Sequence, residues 1–247
     1  MKAYEWAAIS CWLFFFAIPV ALQAQVDDFD EDPLASPDWE YYEPVPGPLQ
    51  STADGSWRMT LPAGVNLDHW VHVDDSPQLR RSDFPEDFVI STRLHFQGSG
   101  DPENPSWPPP NEPYQAGLMV YFGDRDVFYW GPYRGTDLVL ERSGSNGLCS
   151  FDPGLQELSL MITKSGPEYA FAWRASDDDP WQRACTATAQ EPPLFVGLIF
   201  KTWGNLNTEE TFDFDYYSIE EVPESPPEIH FPCEIENPDT AWIGMPY

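Results

Sequence analysis

The sequence predicts an all-β fold, a sandwich of two antiparallel sheets, and three observations carry that prediction. Apolar and polar residues alternate at period two in one stretch after another, and clusters of Gly, Pro, Asn and Asp separate those stretches. Helical periodicity is hard to find after the first 25 residues. Aromatic residues make up 15% of the chain, far more than acidic disordered segments carry, so this acidic chain is expected to fold.

The chain opens MKAYEWAAISCWLFFFAIPVALQAQ. One lysine precedes seventeen residues without a charge, Trp6 to Leu22, and Gln23-Ala24-Gln25 then gives way to acids. This is the pattern of a secretory signal peptide over 1–24, cleaved after Ala24. A retained anchor is disfavoured by the shortness of the run, by Pro19 and by the small polar exit. Taking 24 residues from 247 leaves 223, one domain of sandwich size, expected over 25–221.

The strands follow in order. "FVISTRLHF" (88–96) puts Phe88, Ile90, Leu94 and Phe96 on one face, with Ser91, Arg93 and His95 on the other. "ELSLMITK" (157–164) repeats the alternation with Leu158, Leu160 and Ile162. "EYAFAWRAS" (168–176) repeats it with Tyr169, Phe171 and Trp173. "PLFVGLIFK" and "FDFDYYSIEE" add two more runs. Turn signals stand at 143–147, 164–167, 176–180 and 204–205. Two segments break the rhythm. "GSGDPENPSWPPPNEP" (98–113) has six prolines in sixteen residues and reads as a stiff surface loop inserted between strands, with Trp107 expected as its anchor rather than as an exposed ligand-stacking ring. The Pro/Glu-rich tail, 222–247, reads as a strap or linker. No internal repeat is present.

Lys and Arg number 12 against 41 Asp and Glu, a formal charge of −29. Phosphate would be repelled, so nucleic acid is excluded as a partner, and anionic membrane surfaces are disfavoured for the same reason. After cleavage no membrane association is expected, and a monomer is the default. Export implies an oxidising compartment, so one disulfide is expected among Cys149, Cys185 and Cys233. Cys149–Cys185 is favoured because both fall in or beside strands of one β-rich half, which leaves Cys233 free in the tail.

The order of landmarks carries a resemblance. "VDDFDED", "DGSWRMTLPAG", "DFVISTRLHF", "YQAGLMVYFG", "EYAFAWRASDDDPW", "LFVGLIF" and "FDYYSIEE" succeed one another over residues 26–221. This order resembles the concanavalin A-like lectin/glucanase superfamily, and most of all the small jelly-roll domains related to the C-terminal domains of β-xylosidases. The resemblance implies a concanavalin A-like jelly-roll sandwich of two antiparallel sheets that binds carbohydrate on a concave sheet face. The Pro-rich loop, Asp179-Pro180 in place of a hairpin glycine, and the tail depart from the pattern.

Glucanases of that superfamily carry paired Glu residues on one strand, and glycoside cleavage needs two carboxyls about 5–10 Å apart. Here "FDFDYYSIEE" offers Asp213 and Asp215 but no Glu in register at 217, no Gly-x-Ser-x-Gly is present, and the four His residues show no metal-ligand spacing. A non-catalytic module is therefore expected. Three rival classes stay open: an envelope protein-interaction or structural module, a glycoside hydrolase, and an accessory subunit of one.

A sugar site needs aromatic rings for stacking and polar groups for hydroxyls. If Leu118 and Val120 point inward, Gln115, Met119 and Tyr121 point out. Arg93 and His95 are expected to join Gln115 and Tyr121 from the preceding strand, with Trp130 beside them. Trp57, Trp70, Trp173 and Trp181 read as core or hairpin packing. No cofactor is required. A structural Ca²⁺ is possible where the first and last strands meet, because Asp27 and Asp28 would then neighbour Asp213 and Asp215, and a hard cation would offset their repulsion. Gly117, in mid-strand, points to a close approach by another backbone or a ligand.

Overall fold

The computed structural model describes residues 24–96, 112–135, 137–155 and 157–222. The leader, nearly all of the Pro-rich segment with Trp107, and the tail with Cys233 lie outside the described residues. Among the described residues no helix is long and apolar enough to cross a membrane.

The strands, in chain order, are β1 (Gln25–Asp27), β2 (Glu40–Tyr42), β3 (Leu49–Ala53), β4 (Ser56–Leu61), β5 (His69–Trp70), β6 (Val73–Asp74), β7 (Gln78–Arg81), β8 (Phe88–Phe96) and β9 (Tyr114–Gly123). They continue as β10 (Asp126–Tyr133), β11 (Asp137–Arg142), β12 (Ser145–Phe151), β13 (Glu157–Ser165), β14 (Glu168–Arg174), β15 (Gln182–Thr188), β16 (Phe195–Thr202) and β17 (Glu210–Glu221). One short 3₁₀ turn, Pro33–Ala35, interrupts them. An eight-stranded sheet runs β15-β14-β13-β8-β17-β4-β3, with β1 also on β17. A seven-stranded sheet runs β12-β11-β10-β9-β16-β7-β2, and β5 and β6 form a separate hairpin. Every pairing is antiparallel: two sheets face to face with period-two side chains between them, a jelly-roll sandwich.

The core forms where the inward residues of the two sheets meet. From β8 come Phe88, Ile90, Leu94 and Phe96, and from β9 Leu118, Val120 and Phe122. Aromatic rings dominate: Phe96, Tyr114, Phe200 and Phe212 pack in one group, and Phe122, Phe128, Tyr169 and Phe171 in another. Each such ring contributes about 1.5–3 kcal/mol through burial. On β17 the inward set changes phase, from Phe212 and Phe214 to Tyr217 and Ile219. A bulge in its pairing with β8, between Phe214 and Tyr216, makes that switch. A disulfide joins Cys149 on β12 to Cys185 on β15 and so clasps the outermost strand of one sheet to the outermost strand of the other.

Gly117 is required by a close backbone approach. Its φ is +141°, and a Cβ there would sit 2.2 Å from the Trp130 carbonyl on β10 and 3.0 Å from the Gly131 Cα. The neighbour that excludes a side chain is a strand, not a ligand.

Candidate functional site

Alternation sends Met119 and Tyr121 of β9, Val127 and Tyr129 of β10, and Ile199 and Lys201 of β16 to the outer face of the seven-stranded sheet. A second, small apolar cluster of Met119, Val127, Tyr129 and Ile199 forms there, with Trp70 and Tyr121 packed against it. The β5–β6 hairpin lies over this face. Its base is fixed to β16, where Leu67 N–H donates to Thr202 Oγ1 at 2.7 Å and Thr202 N–H donates to the Leu67 carbonyl at 3.0 Å. The buried His69 ring is hydrogen-bonded through Nδ1 to the Tyr129 hydroxyl. That hydroxyl also lies 3.0 Å from the His69 carbonyl and 2.9 Å from Ser143 Oγ.

The far strand of the hairpin presents Asp74. Its carboxylate accepts from Tyr42 Oη at 3.2 Å and from Gln78 Nε2 at 3.1 Å, and lies 3.2 Å from His69 Nε2. Burial works to raise the Asp74 pKa, but its bonds with His69, Tyr42 and Gln78 outweigh that, and the carboxyl is held below the usual range. Asp74 is thus a fixed, ionised acceptor.

Between this hairpin and the β9–β10 turn lies a cavity of about 560 Å³, with Tyr42, His72, Asp74, Tyr121, Asp124 and Arg125 in its lining. A second cavity adjoins it, sharing Tyr42, Asp74, Tyr121 and Asp124 and adding Arg80 and Phe195. Together they form one groove. The Arg80 guanidinium is sandwiched between the Tyr42 ring at 4.2 Å and the Phe195 ring at 4.3 Å, and it is anchored to Glu40 at 2.6 Å. Tyr121 continues this wall, its ring 5.9 Å from that of Phe195. At the rim, Asp124 and Arg125 form a two-residue turn with φ of +49° and +66°. Both angles are those that a two-residue hairpin turn joining β9 to β10 requires. The groove therefore combines flat rings, one fixed carboxylate and cationic donors.

The structure does not gather the five expected sugar-contacting residues. Tyr121 lines the groove. Gln115 is on the same face but buried, with Nε2 donating to the Val139 carbonyl at 3.0 Å. Trp130 points the other way, into the core, where Nε1 donates to the Ala172 carbonyl at 3.0 Å. Its cross-strand partner is Leu118, an inward residue, and partners share a face. Arg93 and His95 are on β8, in the opposite sheet, because chain neighbours β8 and β9 lie in different layers. Arg93 there pairs with Glu157, with Asp177 and with Asp215.

The four aspartates are not gathered either. β1 pairs with β17, but Asp27 stands opposite Tyr217, past the bulge from Asp213. Asp27 instead accepts from Phe29 N–H at 3.0 Å and Trp39 Nε1 at 2.5 Å, and Asp28 accepts from Asp30 N–H at 3.4 Å. Asp213 makes a two-pronged bond with Arg58, at 2.7 and 2.9 Å. Asp215 accepts from Ser56 Oγ at 3.0 Å, and burial raises its pKa. Among the described residues no three His, Cys, Asp or Glu side chains are placed to hold a metal ion. Of the tryptophans, Trp57 is core, whereas Trp70 lies on the outer face. The segment "LDHWVHVDD" held the groove's missing half: two His, a Trp and three acids within nine residues are a dense polar-aromatic cluster, but the spacing matches no metal pattern and was silent about a sheet face.

The fold is a jelly-roll β-sandwich with a groove on the outer face of its seven-stranded sheet. No protein-family model matches the sequence, and no curated protein is similar to it in sequence. Solved structures resemble it in fold. A GH43 protein from Bacillus licheniformis superposes with a TM-score of 0.56 at 16% identity, over 80% of this chain and 39% of that one. The xylan β-1,4-xylosidase of Bacillus halodurans gives 0.57 at 18% identity, over 79% and 39%. The exoplasmic/lumenal domain of VIP36, in its Ca²⁺/Man-bound form, gives 0.52 at 11% identity, over 83% and 91%. The chain spans about two fifths of the length of the GH43 proteins it resembles. The shared feature is the concanavalin A-like jelly-roll fold.

Proposed function

We propose that this chain is a secreted carbohydrate-binding module without hydrolytic activity of its own, and that it holds a neutral glycan in the groove between the β5–β6 hairpin and the β9–β10 turn. The observation that carries this reading is the continuous wall of Tyr42, Arg80, Phe195 and Tyr121 beside the ionised Asp74. Rings stack on sugar faces, and Asp74, Asp124 and Arg125 satisfy hydroxyls at the edge. The likeness to a domain bound to Ca²⁺ and Man, and to a xylan β-1,4-xylosidase, supports the ligand class. The leader at 1–24 supports export. Acids outnumber cations about the groove and across the chain, which favours neutral over anionic glycans. The role calls for no cofactor and no nucleic acid, and a monomer is the default.

Affinity for a panel of soluble polysaccharides, measured by calorimetry, tests this. Wild type binds at least one neutral glycan. Tyr121→Ala and Asp74→Asn each weaken binding about tenfold or more, the size expected of a stacking ring or an oriented acceptor. Equal retention by wild type and Tyr121→Ala, or none by either, overturns the reading. Release of reducing sugar from xylan or glucan would replace it with the hydrolase reading.

A further inference from the structure

On the other flank of the hairpin is a second recess that the groove does not use. It has a volume of about 210 Å³ and is lined by Asp68, Trp70, Tyr133, Glu141, Lys201 and Trp203. Its floor is an ion pair. Lys201 is almost fully buried, and its Nζ donates to Glu141 Oε2 at 2.9 Å. The same ammonium lies 3.9 Å from the Tyr129 ring centre, 5.0 Å from Trp70 and 6.0 Å from Trp203. Tyr133 and Trp203 stack at 4.4 Å and stand as one wall, with the Arg134 guanidinium 5.1 Å from the Trp203 ring. Trp70 is the opposite wall, carried on β5.

A buried ion pair is by itself a weak source of stability. Desolvating an ammonium and a carboxylate costs several kcal/mol per ion, and apolar residues of similar volume are usually as stable or more so. Here both members of the pair line a recess, Lys201 almost wholly covered and Glu141 slightly exposed. Lys201 has three N–H donors and gives one to Glu141. Asp68 is half-buried, lies near Lys201 and takes a backbone hydrogen bond from His69.

We infer that this recess is a second binding site, for one neutral pyranose ring, separate from the groove. The chemistry selects that class. A sugar ring has flat apolar faces for Trp70 and the Trp203–Tyr133 wall. Its adjacent hydroxyls each donate and accept, matching an ammonium flanked by two carboxylates. An anionic sugar would meet Asp68 and Glu141, with Lys201 already paired to Glu141. An amine would compete with Lys201 for the same carboxylates. The size suits one ring, where the groove suits a chain. The recess stands on its own residues, so its failure and that of the groove are independent.

Tryptophan fluorescence titration with the methyl glycosides of xylose, glucose and mannose tests the inference, with glucuronate and glucosamine as charged controls. Wild type shows saturable quenching by at least one neutral glycoside. Trp203→Ala weakens it about tenfold or more, and Tyr121→Ala leaves it unchanged. The double variant Lys201→Met/Glu141→Leu loses the quenching while melting at or above the wild-type temperature, which separates a binding role from a structural one. The inference is overturned by no saturable response to any neutral glycoside, by loss in Tyr121→Ala with retention in Trp203→Ala, by equal affinity for glucuronate, or by a double variant that binds normally.

Discussion

Glu210, the first residue of β17, is a carboxyl sealed in the sandwich. Oε1 accepts from Thr208 Oγ1 at 2.7 Å, while Oε2 has no partner among the described residues. Burial raises its pKa; the Thr208 bond lowers it and the nearby Glu112 raises it further, so Glu210 is pushed up to about 7. Glu112 is itself tied to Asn207, at 3.0 and 2.8 Å. Because the folded pKa exceeds the unfolded value, the folded state holds the proton more tightly. Stability from this group is therefore present at acid pH and declines as pH rises from about 4.5 to about 7. The full effect is at most about 3 kcal/mol. Glu210→Gln fixes the uncharged form. Its melting temperature should match wild type near about pH 5 and exceed it near about pH 8. Identical curves for the two proteins at both pH values would show that folding does not raise the Glu210 pKa. The same burial was invisible in "NTEETFDFDYY", where Glu210 reads like any exposed strand-end acid, because burial comes from tertiary packing, and even the acid that adds to the effect, Glu112, stands 98 residues away in the chain.

At the scale of elements, legibility followed length. β8, β13, β14, β16 and β17 are seven to twelve residues long, so their positions could be read directly, and the inward faces of β8, β13 and β14 could be read from clean alternation. β5 and β6 are two residues each and carry no periodicity, yet they build half of the groove. Tyr121 was readable as outward from the phase of β9. Trp130 was not, because its direction depends on β10 pairing Trp130 with Leu118, a register that a single sequence does not carry. Adjacency failed in the same way: β8 and β9 follow one another in the chain but occupy opposite sheets, which separates Arg93 and His95 from Tyr121. The disulfide works at this scale too. β12 and β15 are the outermost strands of the two sheets at one side of the sandwich, and the bond closes a loop with a sequence separation of 36. Constraining a loop of that size in the unfolded chain is worth about 4 kcal/mol in the chain-entropy account. Cys149→Ala/Cys185→Ala should therefore lower unfolding stability in urea by about 2–4 kcal/mol with the same folded spectrum. An unchanged midpoint would mean that the two edges are held together without the bond.

The molecule as a whole carries a formal charge of −29, and this sets how salt acts on it. Two effects oppose each other. Ion pairs such as Arg58–Asp213 at 2.7 Å, Arg80–Glu40 at 2.6 Å and Arg142–Asp126 at 2.5 Å stabilise the fold and are weakened by salt. Repulsion among the remaining acids destabilises it and is weakened as well. Distance decides between them. At about 0.15 M the Debye length is about 8 Å, so contacts within 4 Å are screened little while charges spread over the surface are screened strongly. Exposed pairs are worth about 0–1 kcal/mol each, and only 12 Lys and Arg are available to 41 acids. Repulsion is the larger quantity and the one salt removes. The melting temperature should rise by a few degrees between about 10 mM and about 150 mM sodium chloride, about 1 kcal/mol corresponding to about 2–4 °C in a domain of this size. It should then level off, since further salt has little repulsion left to screen. Sodium chloride rather than sulfate isolates screening from the exclusion effects that strengthen burial in any protein. A melting temperature that falls as salt is added would mean that the close pairs outweigh the diffuse repulsion, and that the acids are arranged to be neutralised within the fold rather than spread over it.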